Sequence, residues 1–127
     1  MAEKILVIDD NHVICMLIES RLKANGYDVI IALSGEDGLA KARAEKPDLI
    51  LLDITMPGMD GFEVAAQLKD SEETNNIPFV MLTARGEQEA IAKALNDLGA
   101  KGYVVKPFKP DVLLGEIQRT LKGEAKT

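Results

Sequence analysis

Short apolar runs alternate with amphipathic stretches along the whole chain. Ile5-Leu6-Val7-Ile8 and Leu49-Ile50-Leu51-Leu52 contain no polar residue, the pattern of strands covered on both faces. Asp9-Asp10 follows the first run and Asp53 the second. Residues 28–32, 77–82 and 102–105 read as three further strands. Helical patterns lie between them. Residues 12–25 place Ile14, Leu17, Ile18 and Leu22 on one stripe, with Gly26 as a stop. At 100° per residue, Met16 then faces away from that stripe with His12 and Ser20. Ser34 with Asp37, and Asp60 with Glu63, resemble capping boxes that open two more helices. The first ends before Pro47, and the second carries Phe62, Ala65, Ala66 and Leu68. Ile91, Ala94, Leu95 and Leu98 follow helical spacing before Gly99, and Pro110 opens a helix bearing Leu114, Ile117 and Leu121.

This order is βα repeated five times. Strict alternation with short links predicts an α/β, doubly wound parallel sheet with helices on both faces. A chain of 127 residues is expected to form one domain over residues 1–127, with a core from about residue 4 to 121 and a frayed tail at 123–127.

Composition narrows the chemistry. Fifteen basic and 21 acidic residues give a net charge of −6, so direct nucleic-acid binding is not expected. One cysteine, Cys15, and one histidine, His12, exclude an internal disulfide framework and argue against a zinc site. No apolar run approaches the length of a membrane span, and the expected location is cytoplasmic.

Open α/β sheets carry their chemistry at the carboxyl ends of the strands. Here those ends are Asp9 and Asp10, Asp53, Thr83 with Ala84, and Lys106. Taken singly, each has an ordinary explanation as a cap, a turn residue or a solvated lysine. Together they would bring three acids, a hydroxyl and an ammonium to one edge. Clustered carboxylates raise one another's pKa, and a divalent cation relieves the repulsion. Oxygen-only donors favour magnesium, manganese or calcium over zinc or copper, and carboxylates with water positions left open suit magnesium. Lys106 and Thr83 could then hold phosphoryl oxygens, and a carboxylate could accept the group as an aspartyl phosphate.

The residues that carry this edge resemble a known family. ILVI-Asp9-Asp10, Pro47-Asp48-LILL-Asp53-Ile54-Thr55-Met56-Pro57-Gly58, VML-Thr83-Ala84 and Tyr103-VV-Lys106-Pro107-Phe108 are together similar to the receiver domain of bacterial two-component response regulators. The resemblance runs from about residue 4 to 121. It implies a flavodoxin-like (βα)5 sandwich with strand order 2-1-3-4-5. Asp53 would be the phosphoacceptor. Asp9, Asp10, Asp53 and the Thr55 main-chain carbonyl would hold Mg2+, with Mn2+ as a substitute. Thr83 and Lys106 would contact the phosphoryl group. Thr83 and Tyr103 would form a switch, and the Lys106-Pro107 peptide would be cis. Thr55 and Arg85 occupy positions where family members differ in phosphoryl lifetime.

The implied donor is a sensor histidine kinase or a histidine phosphotransfer protein, docking on the Met16 face of the first helix. The implied output is a partner bound at residues 87–122, by a monomer or a phosphorylation-dependent dimer. Such a domain is no enzyme beyond its own phosphorylation and dephosphorylation. The alternative is a Mg2+-dependent aspartyl-phosphate phosphohydrolase. That class wants a second acid two residues after the nucleophile, where this chain has Thr55. A flavin or nucleotide binder of similar topology is a third class, but no glycine-rich phosphate loop is present.

Overall fold

The computed structural model describes residues 2–84 and 87–123. Five strands and five helices alternate along it: β1 (Lys4–Ile8), α1 (His12–Ala24), β2 (Asp28–Ala32), α2 (Gly35–Glu45), β3 (Leu49–Asp53), α3 (Gly61–Asp70), β4 (Phe79–Ala84), α4 (Gln88–Asp97), β5 (Gly102–Lys106) and α5 (Pro110–Leu121). The strands form one sheet in the order β2-β1-β3-β4-β5, and every neighbouring pair is parallel.

The period-2 geometry of a strand explains why the central runs are unbroken by polar residues. Leu6, Ile8, Ile50, Leu52, Phe79 and Met81 point to one face, where α2, α3 and α4 cover them with Leu39, Val64, Leu68 and Ala94. Ile5, Val7, Leu49, Leu51, Val80 and Leu82 point to the other, against Cys15, Ile18 and Leu22 of α1 and Leu113 and Ile117 of α5. Each face needs its own apolar set, so a two-sided strand cannot alternate.

The capping residues act as the sequence predicts. Ser34 accepts from the Asp37 N–H at 3.1 Å, and Asp60 from the Glu63 N–H at 2.9 Å. Pro110 begins α5. Some boundaries and stripes differ. β4 starts at Phe79, because the Ile77 N–H is spent in a turn on the Thr74 carbonyl and Pro78 has no N–H to give. β5 extends through Lys106. Leu17 is exposed, not part of the buried α1 stripe; Cys15 takes that place beside Ile18 and Leu22. On α5, Leu113 is fully buried and Leu114 only partly so. Arg85 and the tail residues 124–127 lie outside the described residues.

Candidate functional site

The odd–even logic of the strands continues past their ends. Asp9 follows Val7 by two residues, Asp53 follows Leu51 and Lys106 follows Val104, so all three lean toward the α1/α5 face. They meet there. Lys106 Nζ lies 2.7 Å from Asp9 Oδ2 and 3.2 Å from Asp53 Oδ1. Asp9 is fully buried and Asp53 nearly so, while Asp10 is exposed. One carboxylate oxygen from each of Asp9, Asp10 and Asp53 falls within 4.8 Å of the others.

The shell around Asp9 fixes its orientation. The Asn11 N–H donates to Asp9 Oδ1 at 2.9 Å, and the Cys15 thiol points at the Asp9 carbonyl at 3.3 Å. Asn11 also caps α1, its side-chain oxygen accepting from the Val13 and Ile14 N–H groups at 3.0 and 3.2 Å. One asparagine thus sets both the start of α1 and the aim of Asp9. Its signal in the sequence was an N-cap residue directly before an amphipathic run.

Electrostatics follow from this crowding. Burial, then the charge of Asp9, push the Asp53 carboxyl up to about 6, against the opposing pull of Lys106. Burial pulls the Lys106 ammonium down, but its hydrogen bond to Asp9 and the charges of Asp53 and Asp9 outweigh that, and its pKa is raised. Burial and the Asp9 charge push the Cys15 thiol up to about 12, so it stays protonated and unreactive. One ammonium faces three carboxylates. The donors are all oxygens, and exposed Asp10 leaves the outer side open to water. This set fits a hard divalent cation.

Thr83 and Tyr103 belong to the other face. Thr83 follows Met81 by two residues, and Tyr103 is paired with Met81 across the sheet. Tyr103 is partly buried against the α2/α3/α4 side. Thr83 is fully buried, and its Oγ1 has no hydrogen-bond partner among the described residues. A buried hydroxyl without a partner is costly and calls for a reason. Thr55 is exposed, and its hydroxyl donates to Glu87 Oε2 at 3.1 Å. Glu87, which sequence reading did not single out, also accepts from the Ala84 N–H through Oε1 at 2.5 Å. The Lys106-Pro107 peptide is cis.

Residues 5–118 match the family model of the response regulator receiver domain. The chain belongs to that family. Over 122 residues it is 43% identical to the alkaline phosphatase synthesis transcriptional regulatory protein PhoP of Bacillus subtilis, a match covering 96% of this chain and 50% of that protein. The receiver spans about half the length of the curated relatives it matches. Among solved structures, it resembles the chemotaxis protein CheY4 of Vibrio cholerae, with a TM-score of 0.88, 34% identity, and coverage of 94% of this chain and 98% of that one. It is similar as well to a CheY-like receiver domain protein of Methanospirillum hungatei, with a TM-score of 0.88, 32% identity, and coverage of 97% and 96%. The receiver is a phosphoacceptor signalling domain of two-component systems, and its family generally binds Mg2+. Among the described residues, no helix is long and apolar enough to cross a membrane.

Proposed function

We propose that Asp53 is the phosphoacceptor of this receiver, and that Asp9, Asp10, Asp53 and the Thr55 main-chain carbonyl hold a Mg2+ ion beside it. The observation that carries the reading is the buried Asp53 carboxylate, held by Lys106 at 3.2 Å and grouped with the two other acids within 4.8 Å. The donor is a phosphohistidine on a sensor kinase or phosphotransfer protein, which implies a cytoplasmic setting. An Asp53 oxygen attacks phosphorus, the P–N bond breaks, and its electron pair returns to the imidazole, which takes up a proton. A bound cation would neutralise the carboxylates and stabilise charge on the phosphoryl oxygens. Among the described residues, Lys106 supplies a positive charge there, against Asp9 and Asp53. Its raised pKa keeps it protonated at neutral pH.

The modification adds about one to two negative charges and three acceptor oxygens. Thr83 Oγ1, buried and without a hydrogen-bond partner among the described residues, gains an acceptor when it moves toward the new group. Tyr103 on the same face changes packing in response. This biases a two-state element whose readout is the surface of α4, β5 and α5, through residues 87–122. The partner there is an output protein or a second receiver. The domain catalyses its own phosphorylation and dephosphorylation only. Residues 1–127 act as one domain with its core over about 4–121.

The test is mass measurement after incubation with acetyl phosphate. One phosphoryl group is expected with Mg2+ present and none with EDTA. Uptake that ignores EDTA, or no uptake at all, would sink the reading.

The donor's docking site is on α1. Val13, Met16 and Leu17 are 64%, 54% and 61% exposed, on the helix that begins directly after the acidic pair. An apolar patch rimmed by polar residues next to the acceptor suits a helical partner bearing the histidine. Met16→Asp is therefore expected to slow transfer from a phosphohistidine donor about tenfold, with uptake from acetyl phosphate unchanged. Equal slowing of both would place the effect in the site itself.

A further inference from the structure

The parallel ladder between β3 and β4 stops one rung early. Asp53 pairs with Leu82, and the Ile54 N–H reaches the Leu82 carbonyl at 3.1 Å. In a regular parallel ladder the next bond would run from the Ala84 N–H to the Ile54 carbonyl. That carbonyl instead accepts from the Gly61 N–H at 2.8 Å. The Ala84 donor is left at the carboxyl edge, two residues beyond the strand partner of Asp53. Glu87 occupies it. Its carboxylate takes the Ala84 N–H at 2.5 Å with one oxygen and the Thr55 hydroxyl at 3.1 Å with the other.

Those two donors come from the last residue of β4 and from a residue of the segment that follows Asp53. The Glu87 side chain therefore ties the end of β4 to the segment after β3. Glu87 is also the residue before α4, and its side chain makes no capping bond to that helix. Its carboxylate is committed to the site edge and not to its own helix. An anion seated on strand-end donors is placed where an incoming phosphoryl anion needs them. Two anions on one set of donors exclude each other.

We propose that Glu87 is a displaceable internal anion, a positioning residue that holds the Ala84 amide and the Thr55 hydroxyl in the unmodified receiver and must leave them when Asp53 is phosphorylated. The proposal rests on the phosphoacceptor reading of Asp53. It adds a route for the signal. Because Glu87 adjoins the first turn of α4, its release frees that helix end directly, alongside any movement of Thr83. Modification is then opposed in the resting state by the contacts of Glu87 with the end of β4 and with the segment after β3.

Removing the charge should make the modified form easier to reach. Glu87→Gln keeps the shape and one neutral acceptor while its amide nitrogen can only donate, and Glu87→Ala removes both acceptors. Uptake from acetyl phosphate with Mg2+, followed by intact mass, is expected to be about three- to tenfold faster in Glu87→Ala, with Glu87→Gln between it and the wild type. The beryllofluoride adduct, formed with Mg2+ as a mimic of the phosphoryl group, should form at correspondingly lower fluoride. A readout independent of chemistry is the Ala84 amide proton. In the unmodified wild type it is shifted downfield by its short bond to a carboxylate, and it moves upfield in Glu87→Ala. A wild type that takes up no phosphoryl group overturns the phosphoacceptor reading and the latch with it. A wild type that is modified, with both variants no faster, overturns the latch alone. An unshifted Ala84 amide in the unmodified wild type overturns it too.

Discussion

Asp53→Asn is expected to take up no phosphoryl group from acetyl phosphate and Mg2+, and at the same time to be more stable than the wild type in EDTA at pH 8. The first effect follows from chemistry, since an amide oxygen is not a competent nucleophile here and the buried Asp9 beside it is held by Lys106 and the Asn11 N–H. The second follows from charge. The Asp53 carboxyl titrates near 6 in the folded chain against about 3.9 when unfolded. An acid whose folded pKa is raised binds more protons folded than unfolded, so its ionisation costs stability as pH rises. The cost is absent below the unfolded pKa, grows between about 4 and 6, and is complete above. Replacing Asp53 by Asn lifts it, by about 1–3 kcal/mol at pH 8 and by nothing at pH 3.5. Urea unfolding at the two pH values reads the difference. Mg2+ should close the gap by stabilising the wild type more than the variant. A variant less stable than the wild type at pH 8 in EDTA would mean that Lys106 already compensates the cluster.

Gly61→Ala is expected to lose about 3 kcal/mol of stability and to slow phosphoryl uptake as well. A Cβ at Gly61 would run into the Asp53 carbonyl oxygen and lie 2.8 Å from the Ile54 Cα. Both are backbone atoms of the strand end that presents the acceptor, and neither can move without moving Asp53. Gly61 also donates the N–H that claims the Ile54 carbonyl, so a shift there disturbs the closing rung between β3 and β4. Gly102→Ala is the control. Its new Cβ meets the Glu116 carboxylate, the far end of a side chain and not backbone, and the loss should be smaller. Equal losses for the two alanines would show that the strand end yields more easily than its packing implies.

Much of this architecture could be read before any coordinates. The two unbroken apolar runs required strands covered on both sides, and the acids that close them named the working edge. Ser34, Asp60 and Pro110 marked helix starts because caps are local chemistry, legible within three or four residues. What resisted reading was tertiary. Leu17 looks like core by spacing, yet the sheet surface accommodates Cys15, Ile18 and Leu22 and leaves it outside. Ile77 is apolar and β-branched, but the turn onto Thr74 takes its N–H before the strand begins. Of the site, Asp9, Asp10, Asp53 and Lys106 were visible as strand-end residues. Asn11 was not singled out, although an asparagine directly before an amphipathic run is a common cap. Glu87 was not visible, because a glutamate before a helix is unremarkable until its contacts with the end of β4 and the segment after β3 are seen.

The strand parity that divides the core also divides labour. Asp9, Asp53, Lys106 and the exposed patch of α1 share one side of the sheet, while the Thr83 hydroxyl and Tyr103 share the other. The sheet is thus a partition wall whose two sides meet at the carboxyl rim. With the donor docked on α1 as proposed, that surface can be remodelled without repacking the opposite layer. On that reading, such a chain can be rewired to new upstream proteins by surface changes alone, the far face left intact.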